Sequence, residues 1–232
     1  MKSKRAIEIA LGYFVLVASL GFCTGCGANG VIQYSSSETS KSQKTEERKV
    51  DSFSSLLIDG SGDLDISVQE ACSVSVTTEE KALSKIITEV KDGTLQISIK
   101  GVSLGSAPKI KVGMPKIESV DINGAWKANM SDIKSNALKV NLDGASNLTC
   151  SGTCDDLTAD LSGASELQAI KLICKNIILN IDGACKAKIF SKDSLKLDAS
   201  GAARVELAGN PPQITKNLTE AASFELSGES GD

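Results

Sequence analysis

Five aspartates recur in the second half of the chain, each one or three residues before a glycine at the same point of a repeated phrase. They are Asp121, Asp143, Asp160, Asp182 and Asp198. Asn or Ser takes the alternate place, so each of these five copies carries one carboxylate and one neutral polar group. Converging carboxylate oxygens bind calcium, and a row of polar groups can contact a glycan. The aspartates are therefore a candidate binding strip, in which Asp143 and Asp160 are one pair for a weak divalent-cation site.

The same pattern has a second interpretation, in which the polar groups serve the fold alone. Stacked carboxylates on neighbouring strands repel one another. Alternation between two positions places each carboxylate at about twice the strand spacing within its own column. Asn amides can then form hydrogen bonds along the stack, and the short polar groups cap the turns. This interpretation predicts a solvated ladder without a ligand.

The residue types do not indicate catalysis. The chain contains no His, which is the commonest general base and metal ligand. Glycoside hydrolysis needs two carboxylates at a set separation, but 29 Asp and Glu residues are too many to single out a pair. No insertion forms a cleft between the repeats. We predict no catalytic residue, cofactor or metal, and the net charge of −4 argues against a nucleic-acid partner.

Two of the seven cysteines are spaced for a disulfide. Cys154 and Cys174 each lie nine residues before the next repeat glycine, so they are expected on adjacent layers. Their predicted separation suits a disulfide, and an exported protein permits one. In the alternative interpretation, all five cysteines after residue 26 are small packed side chains. They are Cys72, Cys150, Cys154, Cys174 and Cys185.

A sequence motif with apolar residues at alternate positions around a Gly-Ala corner occurs six times. The structure that this motif forms must position the aspartates and cysteines named above. The corner residues are Gly124, Gly144, Gly163, Gly183, Gly201 and Glu220. They are 18 to 20 residues apart, and a fixed period in this range is typical of a solenoid. Five positions of the phrase give 30 places, of which 28 are apolar or Cys.

Apolar residues at every second position indicate strands, because successive side chains of a strand point to opposite faces. Each copy therefore holds two short strands that meet at the corner. A coil of about 19 residues fits one three-sided turn of a parallel β-helix. We predict an all-β, prism-like solenoid whose equivalent residues stack in columns, with regular repeats over residues 116–228.

The N-terminus resembles a bacterial export signal. Lys2, Lys4 and Arg5 precede an apolar run, and the run ends in "CTGC". This layout is typical of a signal peptide over residues 1–26, with Cys26 as the predicted lipidation site. Cys23 stands where the lipoprotein motif usually has Leu, so simple cleavage or an uncleaved anchor is the alternative. The polar segment 27–50 is predicted to be a flexible tether.

Residues 51–115 repeat the corner phrase once, around Gly60, and then depart from it. The segment "CSVSVTT" is a predicted strand, and "KDGTLQISIK" is a predicted hairpin with an Asp-Gly turn. Between them, "EEKALSKIITEV" is a short helix or an irregular excursion. Residues 51–115 either join the main stack or cap its end, as part of one domain over 51–232.

The ordered motifs resemble those of the bacterial putative autotransporter adhesin head domain, or head GIN domain. The matching motifs are "IDGSGDLDISV", "ITEVKDGTLQISIKG", "IKVGMPKIESVDING" and the DGAS, SGAS, DGAC and SGAA corners. The resemblance implies a right-handed β-helix-like or prism-like solenoid with an adhesion role on the cell envelope. It brings no catalytic residues.

Together these features predict a non-enzymatic cell-envelope lipoprotein with an adhesion or ligand-binding head. Its expected partners are the membrane, through an N-terminal lipid, and a glycan or a cell-surface protein. Self-association through an open final strand is also expected. The alternatives are a polysaccharide-acting β-helix enzyme and a purely structural envelope spacer.

Overall fold

The protein is a parallel β-solenoid of about five turns with roughly 20 residues per turn, which confirms the predicted architecture. The computed structural model describes residues 43–99 and 106–227. Cys26, the predicted signal peptide and the first part of the predicted tether lie outside this range. Among the residues described, no helix is long and apolar enough to cross a membrane.

The described residues form thirteen strands and one 3-10 helix. The bounds are β1 Gln43–Arg48, β2 Ser55–Val68, β3 Ser73–Glu79, the 3-10 helix Glu80–Lys85, β4 Ile86–Lys91, β5 Thr94–Ile99, β6 Lys109–Met114, β7 Ser119–Gly144, β8 Asn147–Gly163, β9 Glu166–Gly183, β10 Lys186–Gly201, β11 Arg204–Ala208, β12 Gln213–Leu218 and β13 Ser223–Ser227.

The repeats stack in register, so that like residues meet inside the solenoid. Leu142 of β7 pairs with Leu161 of β8, which pairs with Ile181 of β9 and then with Ala199 of β10. All four side chains are at most 5% exposed. Burial of an aliphatic side chain contributes about 1.5–3 kcal/mol, so these apolar columns provide the main driving force for stacking.

Each coil turns at its glycine because two backbones approach closely there. At Gly163, φ is +73°, and an added Cβ would lie 2.6 Å from the carbonyl oxygen of Gly144. The next residue, Ala164, donates its N–H to that same oxygen at 2.8 Å. The corner therefore needs glycine both for its backbone angle and for the contact between layers.

The last layer is less buried than the repeated phrase predicts. Ile214 and Leu226 occupy core columns, yet they are 37% and 62% exposed. The reason is that β12 and β13 each have a single neighbouring strand within the described residues, β10 and β11 respectively. Lys216 also lies in a core column, and its Nζ lies 4.6 Å from the centre of the Phe224 ring.

Residues 51–115 both join the stack and cap it. Gly60 of β2 pairs with Gly124 of β7, so the first corner phrase forms the adjoining layer. On the other side of β2, strands β5 and β6 add a further parallel layer. Three antiparallel strands follow, with β4 paired to β5, β3 to β6, and β1 to β3.

This region confirms two expectations and settles the third. The predicted strand after Cys72 is β3, and the predicted hairpin is β4–β5, with positive φ angles at Asp92 and Gly93 in its turn. The ambiguous segment between them is a 3-10 helix over Glu80–Lys85, followed directly by β4. A longer helix does not form because the residues from Ile86 onward join the sheet.

The predicted tether 27–50 is wrong for its last part, because residues 43–48 form strand β1. This strand pairs with β3 along its whole length, from Gln43 opposite Glu79 to Arg48 opposite Val74. Its side chains are exposed or half-buried, so it has no apolar alternation by which the sequence could reveal it. Backbone hydrogen bonds and a 2.7 Å ion pair between Lys44 and Glu80 hold it instead.

Candidate binding face

The candidate strip lies on one outward face of the solenoid, on the strand that enters each corner. The column three residues before the corner contains Asp160 and Asp198, which are separated by Asn180 of the layer between them. The column one residue before the corner has the opposite order, with Asp182 between Ser162 and Ser200. The structure therefore brings the predicted aspartates together as two alternating columns.

Hydrogen bonds join the layers in pairs, always from the neutral residue of one layer to the carboxylate of the layer before it. In one column, Asn180 Nδ2 donates to Asp160 Oδ1 at 2.7 Å. In the other, Ser162 Oγ donates to Asp143 Oδ1 at 2.7 Å. Equivalent bonds join Asn141 to Asp121, and Ser200 to Asp182. These bonds form the ladder of the second sequence interpretation. Asp121 also accepts from Ser119 at its second oxygen, whereas Asp143, Asp160 and Asp182 each use one oxygen in the ladder.

Asp59 belongs to the same ladder, although sequence reasoning did not include it. Asn123 Nδ2 donates to Asp59 Oδ1 at 2.8 Å, across the first layer boundary. The signal was available, because Asp59 precedes Gly60 just as Asp143 precedes Gly144. The regular spacing does not indicate Asp59, because the interval from Gly60 to Gly124 is 64 residues and interrupts the repeat.

An open groove of about 440 Å³ runs along the strip across several layers. Four of the five predicted aspartates line it, and Asp121 does not. The polar residues of the lining are Asn141, Asp143, Asp160, Ser162, Asn180, Asp182, Asp198, Ser200, Asn217 and Thr219. A shallow, repetitive surface of this kind presents the same donors and acceptors to each successive unit of an extended ligand.

A second hollow of about 530 Å³ adjoins the groove, and Asp160 and Asn180 line both. Its other polar residues are Lys116, Glu118, Asn136, Lys139, Asp156 and Thr158. Two lysines therefore border the face on one side, and Lys116 forms an ion pair there with Glu118. The two columns of the strip contain no Lys or Arg from residue 121 to residue 219. The two hollows meet at Asp160 and Asn180 and so extend the polar face beyond the strip.

The strip itself is anionic. Within the part of the chain that the structure describes, its five predicted aspartates form no ion pair. Among all the residues that the structure describes, no three or more His, Cys, Asp or Glu side chains form a group that could hold a metal ion. Within that described range, no third acidic side chain groups with Asp143 and Asp160.

The sequence of residues 52–211 matches the family model described as "putative auto-transporter adhesin, head GIN domain". This match covers well over half of the chain. The chain belongs to the head GIN domain family. No curated protein matches the sequence.

Solved structures resemble this head GIN domain at low sequence identity. A putative adhesin from Bacteroides fragilis has a TM-score of 0.67 and 17% identity, covering 81% of this chain and 98% of its own. A putative adhesin from Parabacteroides merdae has a TM-score of 0.51 and 15% identity, covering 80% and 96%. A putative lipid binding protein from Parabacteroides distasonis has a TM-score of 0.47 and 19% identity, with the same coverage. At such identities the first two show a common fold.

The cysteines of the head GIN domain lie where their spacing predicts. Cys154 and Cys174 are register partners on β8 and β9. Both are buried, and both are free thiols in this structure. Cys185 lies beneath a corner, where its thiol donates to the Gly163 carbonyl oxygen at 3.7 Å. Burial raises the pKa of the Cys150 thiol well above its ordinary value, so this cysteine stays protonated and unreactive.

Proposed function

We propose that this protein is an exported, lipid-anchored and non-enzymatic envelope protein whose solenoid binds an extended glycan of another cell or surface. The observation that carries the proposal is the open groove along the strip. Its lining repeats one carboxylate and one neutral polar group per layer over several layers. An extended polymer can use such a surface because each of its units meets the same donors and acceptors.

The chemistry of the groove favours binding over catalysis. Hydrolysis of a glycoside needs one carboxylic acid and one carboxylate in different environments, so that their pKa values differ. The strip instead repeats one arrangement, in which four of its five carboxylates accept a hydrogen bond from Asn or Ser of the next layer. The Asp160–Asn180 and Asp143–Ser162 pairs illustrate this uniformity. Repetition of weak contacts suits adhesion, because several modest contacts made together give a large total affinity.

The anchor is assigned to Cys26 from the sequence pattern before it. Membrane fractionation tests this assignment. A Cys26→Ala variant should move from the membrane fraction to the soluble fraction of the envelope, because lipidation requires the thiol. Unchanged membrane association of this variant would argue against a lipid on Cys26.

The binding role is tested with cells that lack the gene and are complemented with variants of the full chain. A triple variant, Asp143→Asn, Asp160→Asn and Asp182→Asn, keeps the shapes of the side chains but removes three charges from the groove. We expect it to lose most of the adhesion that the wild-type gene restores. The purified protein should show the same loss on a glycan array.

A matched control removes the same number of charges elsewhere. Asp65, Glu89 and Glu225 are exposed and lie outside the groove lining, so Asp65→Asn, Glu89→Gln and Glu225→Gln should leave adhesion unchanged. Equal adhesion of the groove variant and the wild type would refute the strip as a binding site. Release of reducing sugar from a bound polysaccharide would refute the non-enzymatic assignment.

A further inference from the structure

A column of small side chains lies about midway along each coil, between two successive glycine corners. In successive layers it contains Ser135, Cys154, Cys174 and Ser191, which the strand register places next to one another. Both cysteines are almost completely buried, with exposures of 3% and 1%. Two thiols are therefore adjacent at the centre of this column, with a hydroxyl on each side.

These side chains share one structural task, which is to donate a hydrogen bond to a nearby carbonyl oxygen. Ser135 Oγ donates to Ala137 O at 2.7 Å, and Ser191 Oγ donates to the oxygen of Ser194 at 2.8 Å. Cys154 Sγ makes the equivalent, longer contact at 3.2 Å with Asp156 O. Because serine performs this task in the flanking layers, the task itself does not require a thiol at residues 154 and 174.

We propose that Cys154 and Cys174 form a disulfide that links two adjacent coils of the solenoid. Register partners on neighbouring strands are about 4.8 Å apart, within the range of roughly 4.4–6.8 Å between the Cα atoms of a disulfide. The oxidant is an external disulfide, and the oxidising compartment that supplies it rests on the proposed export.

The exchange is balanced in two steps. The Cys154 thiolate attacks one sulfur of the external disulfide, which forms a mixed disulfide and releases one thiolate. Cys174 then loses its proton and attacks Cys154 Sγ, which closes the Cys154–Cys174 bond and releases the second thiolate. The two cysteines are oxidised, and the external disulfide is reduced to two thiols. Because both side chains are buried in the folded chain, the exchange belongs to folding, before the layers close.

In the folded chain the two thiols contact each other. A hydrogen bond from Cys174 lowers the pKa of Cys154, whereas the same hydrogen bond and burial raise the pKa of Cys174. Pairing of β8 with β9 therefore brings the two sulfur atoms together, which is the arrangement that closes the disulfide.

The test refolds the full chain from denaturant with either oxidised glutathione or a reductant, alkylates the remaining thiols after denaturing the chain again, and maps them by peptide mass spectrometry. With oxidised glutathione we expect one cross-linked peptide pair that contains Cys154 and Cys174. Alkylation of Cys72, Cys150 and Cys185 is expected in both samples. The thermal midpoint of the oxidised protein should exceed that of the reduced protein by about 5–10 °C, because the cross-link restricts the unfolded chain.

Two serine variants separate the disulfide from simple packing. Cys154→Ser should fold, since serine occupies this column in the flanking layers, but its midpoint should no longer respond to reductant. Cys185→Ser is the matched control, because Ser146 and Ser165 hold the position equivalent to Cys185 in the two preceding layers. It should keep the full response. Alkylation of both Cys154 and Cys174 after oxidative refolding, or a cross-link through Cys150, would overturn the proposal.

Discussion

At the scale of single residues, the corner of each coil is the most demanding position in the molecule. Gly163 combines a positive φ with a contact between layers so close that no side chain fits. The final corner has Glu220 instead, which adopts a φ of 60°. No described layer follows Glu220, so fewer contacts constrain it. The interior corners are therefore the positions where substitution should be most damaging.

We predict that Gly163→Ala destabilises the protein far more than Gly93→Ala. Both glycines have a φ of +73°, but a Cβ at residue 93 meets nothing within 4 Å. The backbone strain should cost about 1–2 kcal/mol at either site, and the clash with Gly144 O adds to it only at residue 163. Denaturant unfolding of both variants measures the difference. Equal losses would show that the contact between layers is relaxed at little cost.

At the scale of strands, the polar ladder determines which side chains can stack on adjacent strands within one column. Within each column Asp alternates with Asn or Ser, so that a hydrogen-bond donor in one layer lies next to a carboxylate acceptor in the layer before it. Asn180 lies between Asp160 and Asp198 in its column and donates to Asp160. Its amide therefore supplies a hydrogen bond and also keeps two like charges one layer further apart.

We predict that Asn180→Asp lowers the free energy of unfolding by about 1 kcal/mol at neutral pH, because it places three carboxylates on consecutive strands. Repulsion favours protonation of these carboxylates in the folded variant relative to the unfolded chain. The variant should therefore recover stability as the pH falls towards about 4, where carboxylates take up protons.

Asn180→Ser is the matched control, because serine donates to a carboxylate at equivalent places such as Ser162. It should remain close to wild type in stability at both neutral and acidic pH. Urea titrations at several pH values measure all three proteins. A deficit of Asn180→Asp that does not change with pH would contradict the role assigned to the ladder.

The strands that belong to the repeated coils can be predicted from the sequence, whereas strand β1, which lies outside the repeat, cannot. Leu142, Leu161 and Ile181 could be assigned to one column because equal spacing fixes the register of stacked coils. Strand β1 could not be predicted, because it is held at the sheet edge by backbone pairing and charged side chains and needs no apolar alternation. The alternation of Asp with Asn or Ser predicts the ladder, whereas the groove along it depends on how the side chains of successive coils pack, which residue spacing does not encode.

At the scale of the whole molecule, the two ends of the solenoid differ. Antiparallel strands β1, β3 and β4 cover one end, and β1 carries charges that discourage further pairing. At the other end, β12 and β13 present exposed Ile214 and Leu226. Lys216 places a charge in a core column there, and inward charges of this kind oppose pairing between the edges of sheets.

We predict that Lys216→Leu increases self-association, because it completes an apolar column at the end that β12 and β13 form among the described residues. Size-exclusion chromatography with light scattering, over a range of concentrations, measures the mass in solution. Lys196→Leu is the matched control, since Lys196 is exposed on the outward side of neighbouring β10. It should leave the mass unchanged. An unaltered mass for Lys216→Leu would show that Lys216 does not protect this end.

At each interior corner the alanine donates a hydrogen bond to the corner glycine of the coil before it, and this has an evolutionary consequence. The N–H of Ala164 donates to Gly144 O just as the N–H of Ala184 donates to Gly163 O. Each interior coil therefore accepts the same corner hydrogen bond from the next coil that it donates to the coil before it. A tandem duplication of one coil would insert into the stack without any change to its neighbours. Selection could thus lengthen the molecule by whole turns, and the contact area for a polymeric ligand would grow in proportion.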